Sequence, residues 1–88
     1  MNHRNLTIRN DEGLQARPAA LLVQVANQFT SNIWIEMNSK RVNAKSIMGV
    51  LSLKLRMGDS FLIAAVGEDE DAAVAAIAHL IETGEAHL

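Results

Sequence analysis

The spacing of apolar and polar residues predicts four short strands. Residues 6–9 alternate apolar and polar side chains, which is typical of a half-buried strand. Residues 33–37 alternate in the same way, and residues 40–44 can return antiparallel after a short polar break. The continuous apolar run over residues 61–66 indicates a central strand, because a strand buried on both faces needs no polar positions.

Three other segments have helical spacing. Pro18 is tolerated only in the first turn of a helix, so a helix is predicted to begin just before it. Ser46 stands at the N-cap position of a second helix over residues 47–55. A third helix follows Gly67, where acidic residues complement the helix dipole, and Gly84 is expected to end it. The predicted buried face of the first helix comprises Ala19, Leu22, Val23, Ala26 and Phe29. That of the third helix comprises Ala73, Val74, Ile77, Leu80 and Ile81.

The predicted order of elements is β-α-β-β-α-β-α, without an internal repeat or a linker. Such an order predicts an α+β fold, in which the helices pack on one face of a mainly antiparallel sheet through right-handed crossovers. The 88 residues suffice for a single domain over residues 1–88 with a thin core.

Composition narrows the class of function. The chain has no cysteine, which excludes disulfides, thiol catalysis and cysteine-bound zinc. A net charge of −2 and an aromatic content of 3% argue against nucleic acid as the main partner. No apolar run approaches the roughly 20 residues of a membrane span, and the first five residues do not lead into an apolar block like that of a signal peptide. We therefore expect a cytoplasmic module without cofactor or metal that binds partners or is modified.

The second helix carries apolar side chains on two opposite sides. Val50 and Leu53 suit the sheet, whereas Ile47 and Leu51, with Met48 beside them, lie on the other side. Because a two-turn helix over a two-layer fold has one buried side, the second group should face solvent or a partner. The alternative is a helix wedged in the core on both sides.

Leu21 and Ser46 each allow two interpretations. Leu21 lies within a polar stripe of the first helix, either as a single surface leucine or as part of a contact. An N-cap hydroxyl contributes about 1 kcal/mol, which is enough to explain Ser46. A phosphoserine would gain from the free N–H groups and would lie near the bases Lys40 and Lys45. Spacing alone does not show that a kinase modifies this residue.

Two motifs resemble those of the HPr family of bacterial phosphotransferase systems: GLQARPAA at residues 13–20 and NAKSIMGV at residues 43–50. The resemblance implies an open-faced β-sandwich of four strands with three helices on one side. In HPr proteins a histidine in the first motif carries a phosphoryl group from enzyme I to sugar-specific carriers. Here Gln15 stands in that place, and a carboxamide nitrogen is not a useful nucleophile. The resemblance therefore implies that phosphoryl transfer at this position is lost.

A branch of the family in Gram-positive bacteria, the catabolite repression HPr-like proteins, has this glutamine and keeps the serine motif. Similarity to that branch implies phosphorylation of Ser46 by HPr kinase/phosphorylase. The phosphorylated protein would then act as corepressor of the catabolite control protein CcpA, a LacI-type repressor, without contacting DNA itself. The contact surface predicted in this way comprises Gln15, Arg17, Ala20, Leu21, Lys45, Ile47, Met48 and Leu51.

Other functions are left open by the sequence. An enzyme would need a nucleophile, a base or a metal, but His3, His79 and His87 show no ligand-like spacing, and His79 is expected to be solvated. An RNA-binding domain shares the β-α-β-β-α-β order, with Trp34 and Phe61 as candidates for base stacking. An HPr-like module could also regulate a metabolic enzyme or carry phosphate on another residue. The expected state is a monomer, or a homodimer that exchanges its first strand.

Overall fold

A computed structural model describes residues 1–86 and contains seven elements in the predicted order. The four strands form one sheet in the order β1-β4-β2-β3, and every hydrogen-bonded pair is antiparallel. The predicted α+β open-faced sandwich is therefore confirmed. The elements are β1 (Asn2–Thr7), α1 (Ala16–Ala26), β2 (Asn32–Met37), β3 (Lys40–Asn43), α2 (Ile47–Ser52), β4 (Ser60–Val66) and α3 (Glu70–Thr83).

One face of the sheet is apolar and packs against the helices. Leu6, Ile35 and Ile63 are buried on this face, one from each of β1, β2 and β4. Because successive side chains of a strand point to opposite faces, their neighbours Thr7 and Glu36 lie on the open face. Removal of the apolar side chains from water contributes about 1.5–3 kcal/mol for each large residue, and this term holds the two layers together.

The first strand differs from its prediction over residues 6–9. It runs from Asn2, which pairs with Ala65, to Thr7, which pairs with Ser60. Residues 2–5 are polar, so no alternation marks them, and backbone hydrogen bonds to β4 hold them in the sheet. Ile8 continues the pairing beyond the strand, since its N–H donates to the Asp59 carbonyl over 2.9 Å.

The second helix is shorter than the predicted 47–55. It ends at Ser52, and Lys54 then adopts a left-handed backbone conformation with φ of 52°, which no α-helix can continue. The chain reverses there and buries Leu55, whose apolar side chain made the helix look longer in the sequence. Likewise β3 ends at Asn43, although the N–H of Ala44 still donates to the Ile33 carbonyl over 2.9 Å.

The buried face of α1 is rotated slightly from the predicted one. Val25 is buried, whereas Val23, which was predicted to be in the core, is half-buried. Leu21 is also half-buried and packs against the core, so it is not a fully exposed leucine. α1 contacts both α2 and α3, so neighbouring helices as well as the core determine which of its residues are covered.

The carboxylate of Asp69 joins the start of α3 to the turn before β2. It accepts hydrogen bonds from the backbone N–H groups of Thr30 (2.9 Å) and Ser31 (3.0 Å) and from the Ser31 hydroxyl. The Ser31 hydroxyl and then the Thr30 N–H favour the ionised carboxylate and lower the pKa of Asp69 from 3.8 to about 2.

We expect Asp69→Asn to lower the melting temperature at neutral pH, because an amide cannot accept on both of its terminal atoms. The pKa of Asp69 is lower in the folded than in the unfolded chain. The stabilisation of the folded state by the ionised Asp69 carboxylate is therefore complete above about pH 4. It is lost as the pH falls through the folded pKa of about 2. Denaturant titrations of the wild type and the variant at pH 6 and near pH 2 measure this difference. A difference in the free energy of unfolding between the wild type and Asp69→Asn that is equally large at both pH values would contradict this explanation.

Candidate functional site

Ser46 begins α2 as its N-cap, as predicted. Its backbone is extended, with φ of −108° and ψ of 115°, and its Oγ accepts a hydrogen bond from the N–H of Gly49 over 3.1 Å. The backbone of Ser46 is fixed on both sides, since its N–H donates to the Asn43 carbonyl over 3.1 Å and its carbonyl accepts from the Val50 N–H over 3.0 Å. Because Oγ acts as the acceptor in the cap, the hydroxyl keeps its proton and a second lone pair for other chemistry.

Three apolar side chains next to Ser46 are exposed, and we call Ile47, Met48 and Leu51 the apolar cluster. Met48 exposes 75% of its surface, Ile47 39% and Leu51 36%. Val50, on the other side of the same helix, is completely buried. The alternative of a helix wedged in the core on both sides is therefore wrong. Exposed apolar residues gathered on two turns of helix are typical of a protein-binding surface.

The two lysines expected near Ser46 are engaged elsewhere. The ammonium group of Lys45 donates to the Phe29 carbonyl over 2.7 Å, and that of Lys40 donates to the Ser52 carbonyl over 3.2 Å. The Ser52 carbonyl lies at the carboxyl end of α2, where unpaired carbonyl oxygens attract cations, whereas Phe29 lies in the segment between α1 and β2. In the unphosphorylated protein both ammonium groups are therefore engaged with backbone carbonyls.

The predicted contact residues of the first helix lie at its start. Gln15 is the N-cap of α1, but its exposed side chain makes no capping hydrogen bond. Ala16 follows with φ of 46°, a left-handed conformation that costs an alanine roughly 1–2 kcal/mol. Arg17 and Ala20 are exposed, and Arg17 forms no ion pair within residues 1–86. No periodicity in the sequence could have predicted the strained Ala16.

Leu21 and Arg17 line a groove of about 370 Å³ between α1 and the end of α3, together with Leu80 and Ile81. Two of the predicted contact residues therefore line a groove that the sequence did not predict, because a helical wheel gives the direction of a side chain but not the neighbouring element.

The structure also bears on the other chemistries considered. Phe61 is buried in the core, and the guanidinium of Arg41 lies 3.9 Å from the centre of the Trp34 ring, so both candidate stacking rings are occupied. His3 is exposed, whereas His79 is half-buried and not solvated as expected, because its part of α3 packs on the sheet. The prediction for His87 falls outside the described residues.

Within residues 1–86, no three histidine, aspartate or glutamate side chains are grouped as a metal site would require. No helix of the described chain combines the length and apolar character needed to cross a bilayer.

Comparison with known proteins places the chain in a family. Residues 2–83 match the family described as the PTS HPr component phosphorylation site. The HPr-like protein Crh of Bacillus subtilis is 46% identical over 82 residues, which cover 93% of this chain and 96% of that protein.

Two solved structures agree with this relation. HPr-C-His from Thermoanaerobacter tengcongensis superposes with a TM-score of 0.94 at 47% identity, covering 99% of this chain and 100% of that one. Crh from Bacillus subtilis, described as a dimer with a swapped domain, has a TM-score of 0.77 at 44% identity with complete coverage of both chains. From its family match and this full-length similarity, the chain belongs to the HPr family of the phosphotransferase system.

Proposed function

We propose that this chain, as one HPr-like domain, is a regulatory protein of the Crh type. HPr kinase/phosphorylase uses ATP to phosphorylate Ser46, and the phosphorylated protein is the corepressor of a CcpA-type repressor of the LacI family. Similarity to Crh over nearly the whole chain supports the Crh type. The proposed location is the cytoplasm, where a kinase that uses ATP and a DNA-bound repressor operate.

The observation that carries the proposal is a serine hydroxyl held at the edge of an exposed apolar cluster. Phosphorylation would add about −1.5 to −2 charges and three acceptor oxygens beside Met48. Since Lys45 and Lys40 bind backbone carbonyls, the phosphate remains available to basic residues of a partner. A repressor surface that pairs an apolar hollow with arginine or lysine would then distinguish the phosphorylated from the free protein.

Gln15 supports a regulatory role over a carrier role. A phosphocarrier needs a nucleophile that accepts and later releases the phosphoryl group, and a carboxamide does neither. We propose that Arg17, exposed and without an ion pair in the described chain, contacts the partner in place of a phosphohistidine. The chain then acts as a signal and is not itself an enzyme.

We expect HPr kinase/phosphorylase and ATP to add one phosphate to the wild type and none to Ser46→Ala. Intact-mass spectrometry with site mapping measures the product. Ser52→Ala is the matched control, because Ser52 lies on the same helix and is exposed, and its hydroxyl donates to the Gly49 carbonyl over 2.6 Å. Phosphate should appear on this control as on the wild type. An unmodified wild type, or label that survives Ser46→Ala, would contradict the proposal.

A second proposal concerns assembly. The Crh structure described as a swapped dimer supports exchange of β1 in this chain as well. β1 is an edge strand that, among the described strands, pairs with β4 alone, and the turn at residues 10–13 can extend to connect two copies. Sedimentation at increasing concentration should reveal a slowly exchanging dimer. A purely monomeric chain at millimolar concentration would argue against it.

A further inference from the structure

Gly49 occupies a position in α2 where glycine is a poor choice for the helix. It lies inside the helical segment Ile47–Ser52, and glycine loses more conformational freedom in a helix than any other residue. Its backbone does not have the positive φ that would require glycine. The reason for glycine must therefore be the space that its side chain would fill.

That space lies between Ser46 and the third strand. A Cβ atom on residue 49 would lie 3.3 Å from Cβ of Val42, 3.4 Å from Oγ of Ser46 and 3.5 Å from the Asn43 carbonyl oxygen. The contact with Val42 is tighter than most Cβ contacts, and because both Cβ atoms are fixed to the backbone, relieving it needs a small shift of α2 relative to β3. The contact with Ser46 would place a methyl group directly against the hydroxyl that is proposed to be phosphorylated.

Phosphorylation needs free space around Oγ. In the reaction, Ser46 Oγ forms a bond to the γ-phosphorus of ATP while the bond from that phosphorus to the bridging oxygen of ADP breaks, and the hydroxyl proton passes to a base of the kinase. The phosphoryl oxygens extend beyond Oγ in the directions that its surroundings leave open. The Gly49 N–H already occupies one direction around Oγ. A methyl group at 3.4 Å would close another.

We infer that Gly49 is a positioning residue for phosphoryl transfer to Ser46, because its missing side chain keeps the space beside Oγ open. The inference rests on the proposed function, since it concerns the same serine. It adds a requirement that the serine alone does not meet: in this helix start, a side chain on residue 49 would lie against both the Ser46 hydroxyl and Val42. Such a chain would keep the fold and the apolar cluster but would be a poor substrate.

The test uses the full chain with HPr kinase/phosphorylase and ATP, and compares Gly49→Ala, Val42→Gly and the double variant with the wild type. We expect Gly49→Ala to lower kcat/KM at least tenfold, mainly through kcat, because the exposed surface around Ser46 is unchanged and only the space at the hydroxyl is reduced. The melting temperature should stay within a few degrees, since alanine favours the helix while it crowds Val42. Val42→Gly alone should stay within about twofold of the wild-type rate.

The double variant separates crowding of the hydroxyl from displacement of the helix. Glycine at position 42 removes the Cβ atom that a Cβ on residue 49 would approach to 3.3 Å, so the double variant relieves that contact but should remain at least tenfold slow. A double variant that regains the wild-type rate, or a Gly49→Ala protein within twofold of the wild type, would overturn the inference while the proposed function stands. If the wild type accepts no phosphate, both the inference about Gly49 and the proposed function are contradicted.

Discussion

Met48→Lys is expected to weaken binding of the Ser46-phosphorylated protein to a CcpA-type repressor at least tenfold. Met48 exposes 75% of its surface in the free protein and adjoins the phosphorylation site. Burial of a methionine side chain at an interface contributes about 1.5–3 kcal/mol, and a lysine would bring an unpaired charge into the same place. Its charge would also repel the basic residues proposed to meet the phosphate. Titration calorimetry with the repressor measures the affinity.

The control for this prediction is Met57→Lys. Met57 exposes 57% of its surface but lies in the turn between α2 and β4, outside the apolar cluster. It tests whether an added positive charge anywhere weakens the complex. Both variants should melt within a few degrees of the wild type, because neither side chain is in the core. Equal weakening by the two lysines, or a large drop in the melting temperature of Met48→Lys, would show that the apolar cluster is not the docking surface.

Gly13→Ala is expected to lower the free energy of unfolding by about 3 kcal/mol, a large share of the stability of so small a domain. Gly13 has φ of 67°, and an added Cβ would overlap the Leu55 carbonyl oxygen and lie 2.9 Å from Cα of Arg56. The same carbonyl accepts a hydrogen bond from the Leu14 N–H over 2.9 Å. The substitution would therefore separate the loop that carries Gln15 from the segment that follows α2. Guanidinium titrations measure the loss.

Gly84→Ala isolates the backbone term of that prediction. Gly84 has φ of 77° as the C-cap of α3, and a Cβ there would meet nothing within 4 Å. Alanine at this position should cost only the left-handed conformation, roughly 1–2 kcal/mol. A Gly13→Ala variant that loses no more stability than Gly84→Ala would show that the loop can move away from Leu55, and that the close approach does not fix the position of Gln15.

Apolar periodicity predicted the fold better than it predicted the ends of the elements. The buried positions Leu22, Val50 and Ile77 follow from helical spacing alone, and the apolar run of β4 is unmistakable. The polar residues 2–5 of β1 were missed, since an edge strand can be held by backbone hydrogen bonds alone. The end of α2 was missed because Leu55 is buried although it lies beyond the helix. Its apolar side chain extends the helical spacing in the sequence, whereas the backbone has already left the helix at Lys54.

The candidate site shows the same division. The cap role of Ser46 and the exposure of Met48 were predicted, since both depend on residues close together along one helix. The partners of the Lys45 and Lys40 ammonium groups were not predicted. Those groups reach carbonyls 16 and 12 residues away, and only the tertiary arrangement of the elements and loops brings them together.

By itself the sequence determined the order of the elements, the serine at the start of α2, the glutamine in the place of a nucleophile and the apolar side chains around the serine. Each of these depends on side-chain type and on spacing within one element. The tertiary structure alone decided that the lysines are engaged, that Leu21 belongs to a groove beside α3 and that the space next to Gly49 adjoins the Ser46 hydroxyl. These features arise where elements meet, and their distances follow from close packing of the two layers, which no local pattern records.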